Sequence, residues 1–120
     1  MSVVRLPRQI KAFGQVWTVS MHAGLVIHPD KHHMEDEGYE VLGLTDSDQR
    51  AIVINSEQAK ESMQETFLHE CLHAMVASVA LNRDLLADDE DEERMVKRLA
   101  PALLLFLRDN PGAVEFLVRR

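Results

Sequence analysis

The chain has 120 residues, 46% of them hydrophobic, which suffices for one packed core and leaves no room for a dinucleotide fold with a separate substrate domain. Any catalysis must come from a compact site of few residues, and a metal ion is the simplest way to build one. Thirteen Lys and Arg against twenty Asp and Glu give a formal charge of −7, the wrong sign for tracking phosphates, so no nucleic-acid partner is expected.

The single cysteine, Cys71, has no internal disulfide partner, and the N-terminus carries no basic segment leading into an apolar stretch and a cleavage site. Both features predict a cytoplasmic location. The longest run without a polar residue, Leu99 to Leu107, falls well short of the roughly 20 residues a bilayer span needs, so no membrane partner is expected. With no linker-like composition and no repeat, residues 1–120 read as a single domain.

In chain order, residues 13–21 alternate and are rich in β-branched and aromatic types, which predicts a strand. A polar loop follows from about His28 to Gly38, with His28, His32 and His33 in it. Tyr39–Leu44 and Arg50–Asn55 read as the two strands of a hairpin, joined by the turn-favouring Thr45–Gln49. Asn55 or Ser56 can then cap a helix, with Gln58 in the reciprocal capping position, and the segment to about Leu81 lacks Gly and Pro. This is expected to be the longest helix.

Asn82–Ala87 reads as a connector, and a last helix is expected from about Asp88 to Arg108, its acidic first turn suited to the positive helix end. Pro101 predicts a kink or break inside it. Asn110-Pro111-Gly112 ends it, and the apolar tail Ala113–Val118 is expected to pack back on the body. The Leu103–Leu107 run is assigned to burial within the monomer, with a dimer contact as the alternative.

The long helix contains His69-Glu70-Cys71-Leu72-His73, a His-Glu-x-x-His motif. At about 100° per residue the two histidines lie roughly 40° apart and one turn along, so both imidazoles can reach one ion. Glu70 falls beside the open position of such an ion, where it can take a proton from water. Met63, Phe67, Leu68, Cys71, Met75 and Val79 form the opposite, apolar stripe, whereas Ser62, Thr66, Ala77 and Ala80 border the histidines. Cys71, Trp17 and the six methionines are read as packing residues.

A catalytic zinc takes three protein ligands and keeps one position open. The third is sought in the acidic run before Val96, Leu99 and Ala100, the expected buried side of the last helix. Glu93, at i−3 from Val96, is preferred; Glu92 and Glu90 are the alternatives.

The segment Phe67 to Ala74, followed by Glu93-Arg94-Met95-Val96, resembles the zincin metallopeptidases whose third ligand is a glutamate on a later helix. More narrowly it resembles the ImmA/IrrE-type peptidases and small zincin-like proteins of phages and prophages, over roughly residues 39–105, with Ile52-Val53-Ile54-Asn55 as the strand before the active-site helix. The resemblance implies a minimal zincin-like α+β domain: a small antiparallel or mixed sheet packed on the motif helix, and a second helix carrying the third ligand. It also implies that His69, His73 and Glu93 hold Zn²⁺, and that Glu70 is the general base in hydrolysis of a peptide or protein substrate. Such a substrate is expected to add as a strand along Arg50–Asn55. Tyr39, His32, His33 and Arg50 are the candidate donors to a developing oxyanion, and the His28–His33 stretch is read as polar surface, with a second metal site as the alternative. The competing function is a non-proteolytic zincin-fold protein, phage or prophage encoded, that engages a protein partner.

Overall fold

A computed structural model describes residues 5–27, 38–79 and 88–119. The histidine-containing loop, including His28, His32 and His33, and the connector Asn82–Ala87 lie outside the described residues, as do Ala80 and Leu81. The elements are β1 (Gln9–Ala12), β2 (Gln15–His22), β3 (Val26–Ile27), β4 (Tyr39–Glu40), β5 (Gly43–Asp46), β6 (Ala51–Asn55), α1 (Lys60–Ser78), α2 (Asp89–Asp109) and α3 (Pro111–Val118). Among the described residues they form a small α+β arrangement with a mixed four-stranded sheet, a two-stranded β3–β4 ribbon and three helices.

β1 and β2 make a hairpin whose two turn residues, Phe13 and Gly14, both have positive φ (49° and 80°). That backbone twist matches the twist of the flanking strands. It also explains why Phe13, expected in the strand, is instead an exposed turn residue. β2 then alternates as expected, with Trp17 and Val19 buried and their neighbours exposed.

Strand order is β1-β2-β6-β5, with β2 and β6 parallel and the other pairs antiparallel. The expected hairpin around residues 45–49 is present as β5–β6. Asp46 Oδ1 accepts hydrogen bonds from the Asp48 and Gln49 amides at 3.0 and 3.2 Å, and Arg50 turns the chain at φ 48°. Its first strand is shorter than expected, because Tyr39–Glu40 pairs separately with Val26–Ile27. β6 is an interior strand, flanked by β2 and β5, so Arg50–Asn55 offers no edge for an added strand. Among the described residues the edge strands of this sheet are β1 and β5, and it is β5 that lies along the histidine-bearing side of the helix.

α1 covers one face of this sheet. Trp17, Ile52, Ile54 and Ala74 are almost completely removed from water, and Met63, Phe67, Cys71 and Met75 pack against them. Burying a large apolar side chain contributes roughly 1.5–3 kcal/mol, so this layer dominates the fold. On its other side α1 meets α2 through Leu72, Val96 and Ala100, supported by Leu68, Met95 and Leu103. The apolar residues of α1 therefore serve two faces rather than one stripe, and Val79 is exposed.

The start of α1 differs from expectation. The helix begins at Lys60, and Ala59 at its N-cap makes no side-chain capping bond. Asn55 is instead fully buried at the end of β6: Nδ2 donates to Glu40 Oε1 and the Val41 carbonyl, each at 2.9 Å, and Oδ1 accepts from the Glu57 amide at 2.9 Å. Gln58 Nε2 donates to the Asn55 and Leu42 carbonyls, while its Oε1 accepts from the Ser62 and Thr66 hydroxyls. The Asn55 and Gln58 side chains thus tie β4 and the Val41–Leu42 link to the helix entrance.

α2 is the longer helix, 21 residues against 19 for α1. Asp88 caps it, accepting from the Asp91 amide at 2.9 Å. It runs through Pro101 without a break. Pro101 and Lys97, whose carbonyl loses its donor, are both exposed, so water can serve that carbonyl. Leu99, expected on the buried side, is 43% exposed, and Leu105, Phe106 and Leu107 face outward rather than into the body. The tail is itself a helix, α3, with Pro111 in its first turn. Phe116 and Val118 are exposed instead of packing back. No helix among the described residues is long and apolar enough to cross a membrane.

Candidate metal centre

His69 and His73 lie one turn apart on the cleft-facing side of α1, their ring centroids 5.0 Å apart and the planes inclined by 59°. Their spacing places them together. What points a third group at them is the docking of α2, because Val96 and Ala100 are buried on α1 one and two turns beyond Glu93. Glu93 Oε1 lies 3.0 Å from His69 Nε2, and Glu93 Oε2 lies 2.9 Å from His73 Nε2. One donor atom from each residue falls within 4.8 Å of the other two.

A tetrahedral zinc with bonds near 2.0–2.1 Å holds its donor atoms roughly 3.3 Å apart. Two imidazole nitrogens and a carboxylate at these separations could hold a metal ion, and the half-exposed Glu93 side chain leaves one flank of the group open to the cleft. Of the two alternative acidic residues, Glu92 reaches the other nitrogen of His73, Nδ1, at 2.7 Å. Glu90 is exposed and joins neither histidine.

Glu70 is 6% exposed, unusually low for a carboxyl group. Burial pushes its pKa above the ordinary carboxylate range, opposed by the Thr45 hydrogen bond and the neighbouring histidines and reinforced by Glu93. The Thr45 hydroxyl on β5 lies 2.7 Å from Glu70 Oε1 and 3.1 Å from the Glu70 carbonyl oxygen. Gly43 makes this approach possible. A Cβ there would sit 2.8 Å from both Glu70 Oε2 and Thr66 Cγ2, so only glycine lets β5 pass this close to α1. Neither Gly43 nor Thr45 carries a sequence signal of this role, since both sit in what reads as ordinary hairpin.

The cleft, about 880 Å³, runs between β5, the β3–β4 ribbon and the two long helices. Leu42, Gly43, Leu44 and Thr45 form one wall, His69, Glu70 and His73 the floor, and Glu92, Glu93 and Lys97 the opposite side. Of the candidate oxyanion donors, Tyr39 lines the cleft and Arg50 does not; His32 and His33 lie outside the described residues. Lys97, one turn after Glu93, is a cationic lining residue that the sequence did not single out. Cys71 packs against the sheet core, and burial, aided by the Glu70 charge, pushes its thiol up to about 12, so it stays a neutral packing group.

Compared with family models, with curated proteins and with solved structures, the chain matches none of them.

Proposed function

We propose that the protein is a zinc-dependent metallopeptidase of minimal zincin-like architecture, with His69, His73 and Glu93 as ligands and Glu70 as general base. The observation that carries this reading is the buried Glu70 beside a His, His, Glu group that could hold a metal ion. Zinc bound there would supply a Lewis acid, making water nucleophilic near neutral pH and polarising a peptide carbonyl.

The chain's own residues do the rest. Glu70 takes the proton of the attacking water and passes it to the leaving amine, a task suited to a carboxyl whose pKa is raised toward the working pH. Thr45 serves both protonation states. Its hydroxyl donates to Oε1 when Glu70 is ionised; when Glu70 carries the proton on Oε1, that group donates to Thr45 Oγ1 and the Thr45 hydrogen turns to the Glu70 carbonyl. The wall of β5 supports a peptide substrate bound as an added strand along Gly43–Asp46, since this strand has a free edge and lines the cleft.

Burial of Glu70 also favours hydrolysis over partner binding without turnover. A scaffold that only holds a metal or a protein gains nothing from a carboxyl withdrawn from water next to the ion. The test is metal analysis of purified protein together with a peptide-library assay of wild type and Glu70→Gln. One zinc per chain is expected in both, with hydrolysis about 10²–10⁴-fold slower in the variant. Wild-type protein that holds no transition metal overturns the reading, as does equal turnover by the two proteins.

A further inference from the structure

His73 is gripped at both nitrogens. Glu93 approaches Nε2 at 2.9 Å and Glu92 approaches Nδ1 at 2.7 Å, from consecutive residues of α2. A neutral imidazole carries one N–H and one lone pair, and the partner of one nitrogen decides which form presents itself at the other. We propose that Glu92 is a positioning residue of the metal centre: by accepting a hydrogen bond from His73 Nδ1–H it holds the ring in the tautomer and orientation that present the Nε2 lone pair to the ion.

This inference rests on the metal reading of His69, His73 and Glu93 and adds a residue to it. Three observations separate Glu92 from an ordinary acidic residue at a helix start. Its side chain is 17% exposed, whereas Asp89 and Glu90 in the same turn are exposed to solvent. The capping and pairing roles of this helix end are already filled, by Asp88 on the Asp91 amide and by Asp91 with Arg94 at 2.6 Å. And Glu92 lies on the Nδ1 side of the ring, away from the Nε2 atoms that converge on Glu93, so it belongs to His73 rather than to the ligand group. His69 has no such acceptor at Nδ1 among the described residues, which makes His73 the better fixed of the two.

Outer carboxylates of this kind typically change metal affinity by about 10–100-fold when removed. The experiment titrates wild type, Glu92→Ala, Glu92→Gln and Glu93→Ala with Zn²⁺ against a chromophoric chelator, and records the visible absorption of each with Co²⁺ bound. Circular dichroism melting checks that each variant is folded. Glu92→Ala is expected to bind about 10–100-fold more weakly than wild type with an altered Co²⁺ spectrum. Glu92→Gln, whose amide oxygen still accepts from Nδ1–H, is expected to recover most of the affinity and the wild-type spectrum. Glu93→Ala is expected to lose more than either.

Wild-type affinity and spectrum in Glu92→Ala overturn the inference while leaving the metal reading intact. Equal losses in the alanine and glutamine variants also overturn it, because glutamine supplies the acceptor. A loss in Glu92→Ala as large as in Glu93→Ala would make Glu92 a ligand instead. Absence of binding by wild type would overturn the metal reading and this inference with it.

Discussion

α1 is held on its two sides by layers of different quality. Toward the sheet it closes on Trp17, Ile52 and Ile54, almost completely buried, whereas toward α2 the seal is Leu72, Val96 and Ala100, and Leu99, Leu105 and Phe106 of that helix remain in water. The proposed site draws on both. His69, Glu70, His73 and Thr45 belong to the sheet-backed frame, and Glu92 and Glu93 arrive on the thinner contact. Assembly of the site is therefore separable from stability of the frame.

Substitutions in the two layers test that separation. Val96→Asp places an unpaired charge at a fully buried position, a change worth about 3–5 kcal/mol, and is expected to release α2 from α1. Zinc affinity should then fall by more than ~100-fold, beyond the range of a lost outer partner, while sheet signals in circular dichroism persist. Ile54→Ala, costing about 2–5 kcal/mol, should instead lower the melting temperature without a selective effect on metal binding below the transition. Equal zinc affinity in Val96→Asp and wild type would break the comparison.

Gly43→Ala acts where the sheet meets the base. A methyl at 2.8 Å from Glu70 Oε2 and Thr66 Cγ2 must displace one or the other, at about 1–3 kcal/mol by calorimetry, and hydrolysis should fall more than zinc affinity does.

Glu70→Gln gives a smaller change in stability, and its sign depends on pH. Glu70 is raised in the folded protein, chiefly by burial, so its contribution to stability is present below the ordinary carboxylate range and is lost as pH rises through the folded-state value. With metal removed by chelator, Glu70→Gln should gain on wild type in melting temperature as pH climbs from about 4 toward 7. A pH-independent difference would contradict the burial of this carboxyl. Smallest of all, Phe116→Ser on the exposed face of α3 should stay within ~0.5 kcal/mol of wild type in denaturant unfolding.

The parts of this structure that sequence makes legible are those set by short-range geometry. The proximity of His69 and His73 follows from one helical turn, and the period around Val96 points Glu93 toward α1 although it leaves the side chain half exposed. The sheet order is not legible, because the parallel pairing of Thr18–His22 with Ala51–Asn55 joins segments with no local signal for each other. Asn55 and Gln58 mislead for a different reason: a side chain fit to cap a helix is equally fit to satisfy loop backbone, and tertiary contacts choose the latter. Pro101 misleads because solvent can serve the carbonyl it deprives of a donor. Thr45 becomes meaningful only once β5 is laid against Glu70.

β5, β6 and α1 follow one another in the chain, and between Gly43 and Ser78 they contain every proposed catalytic group except the carboxylates of α2. The β5–β6 hairpin pairs locally, from Asp46 with Ala51 to Gly43 with Ile54, so it can acquire native order early, and α1 closes on it through contacts such as Thr45–Glu70, 25 residues apart. The β1–β2 hairpin must then find the far side of β6 through more distant partners, Thr18 with Ala51 to His22 with Asn55, a slower search than closure of the β5–β6 turn. Folding kinetics should thus follow the pairing of β2 with β6, and a frame already shaped for chemistry would wait on the strand that buries it.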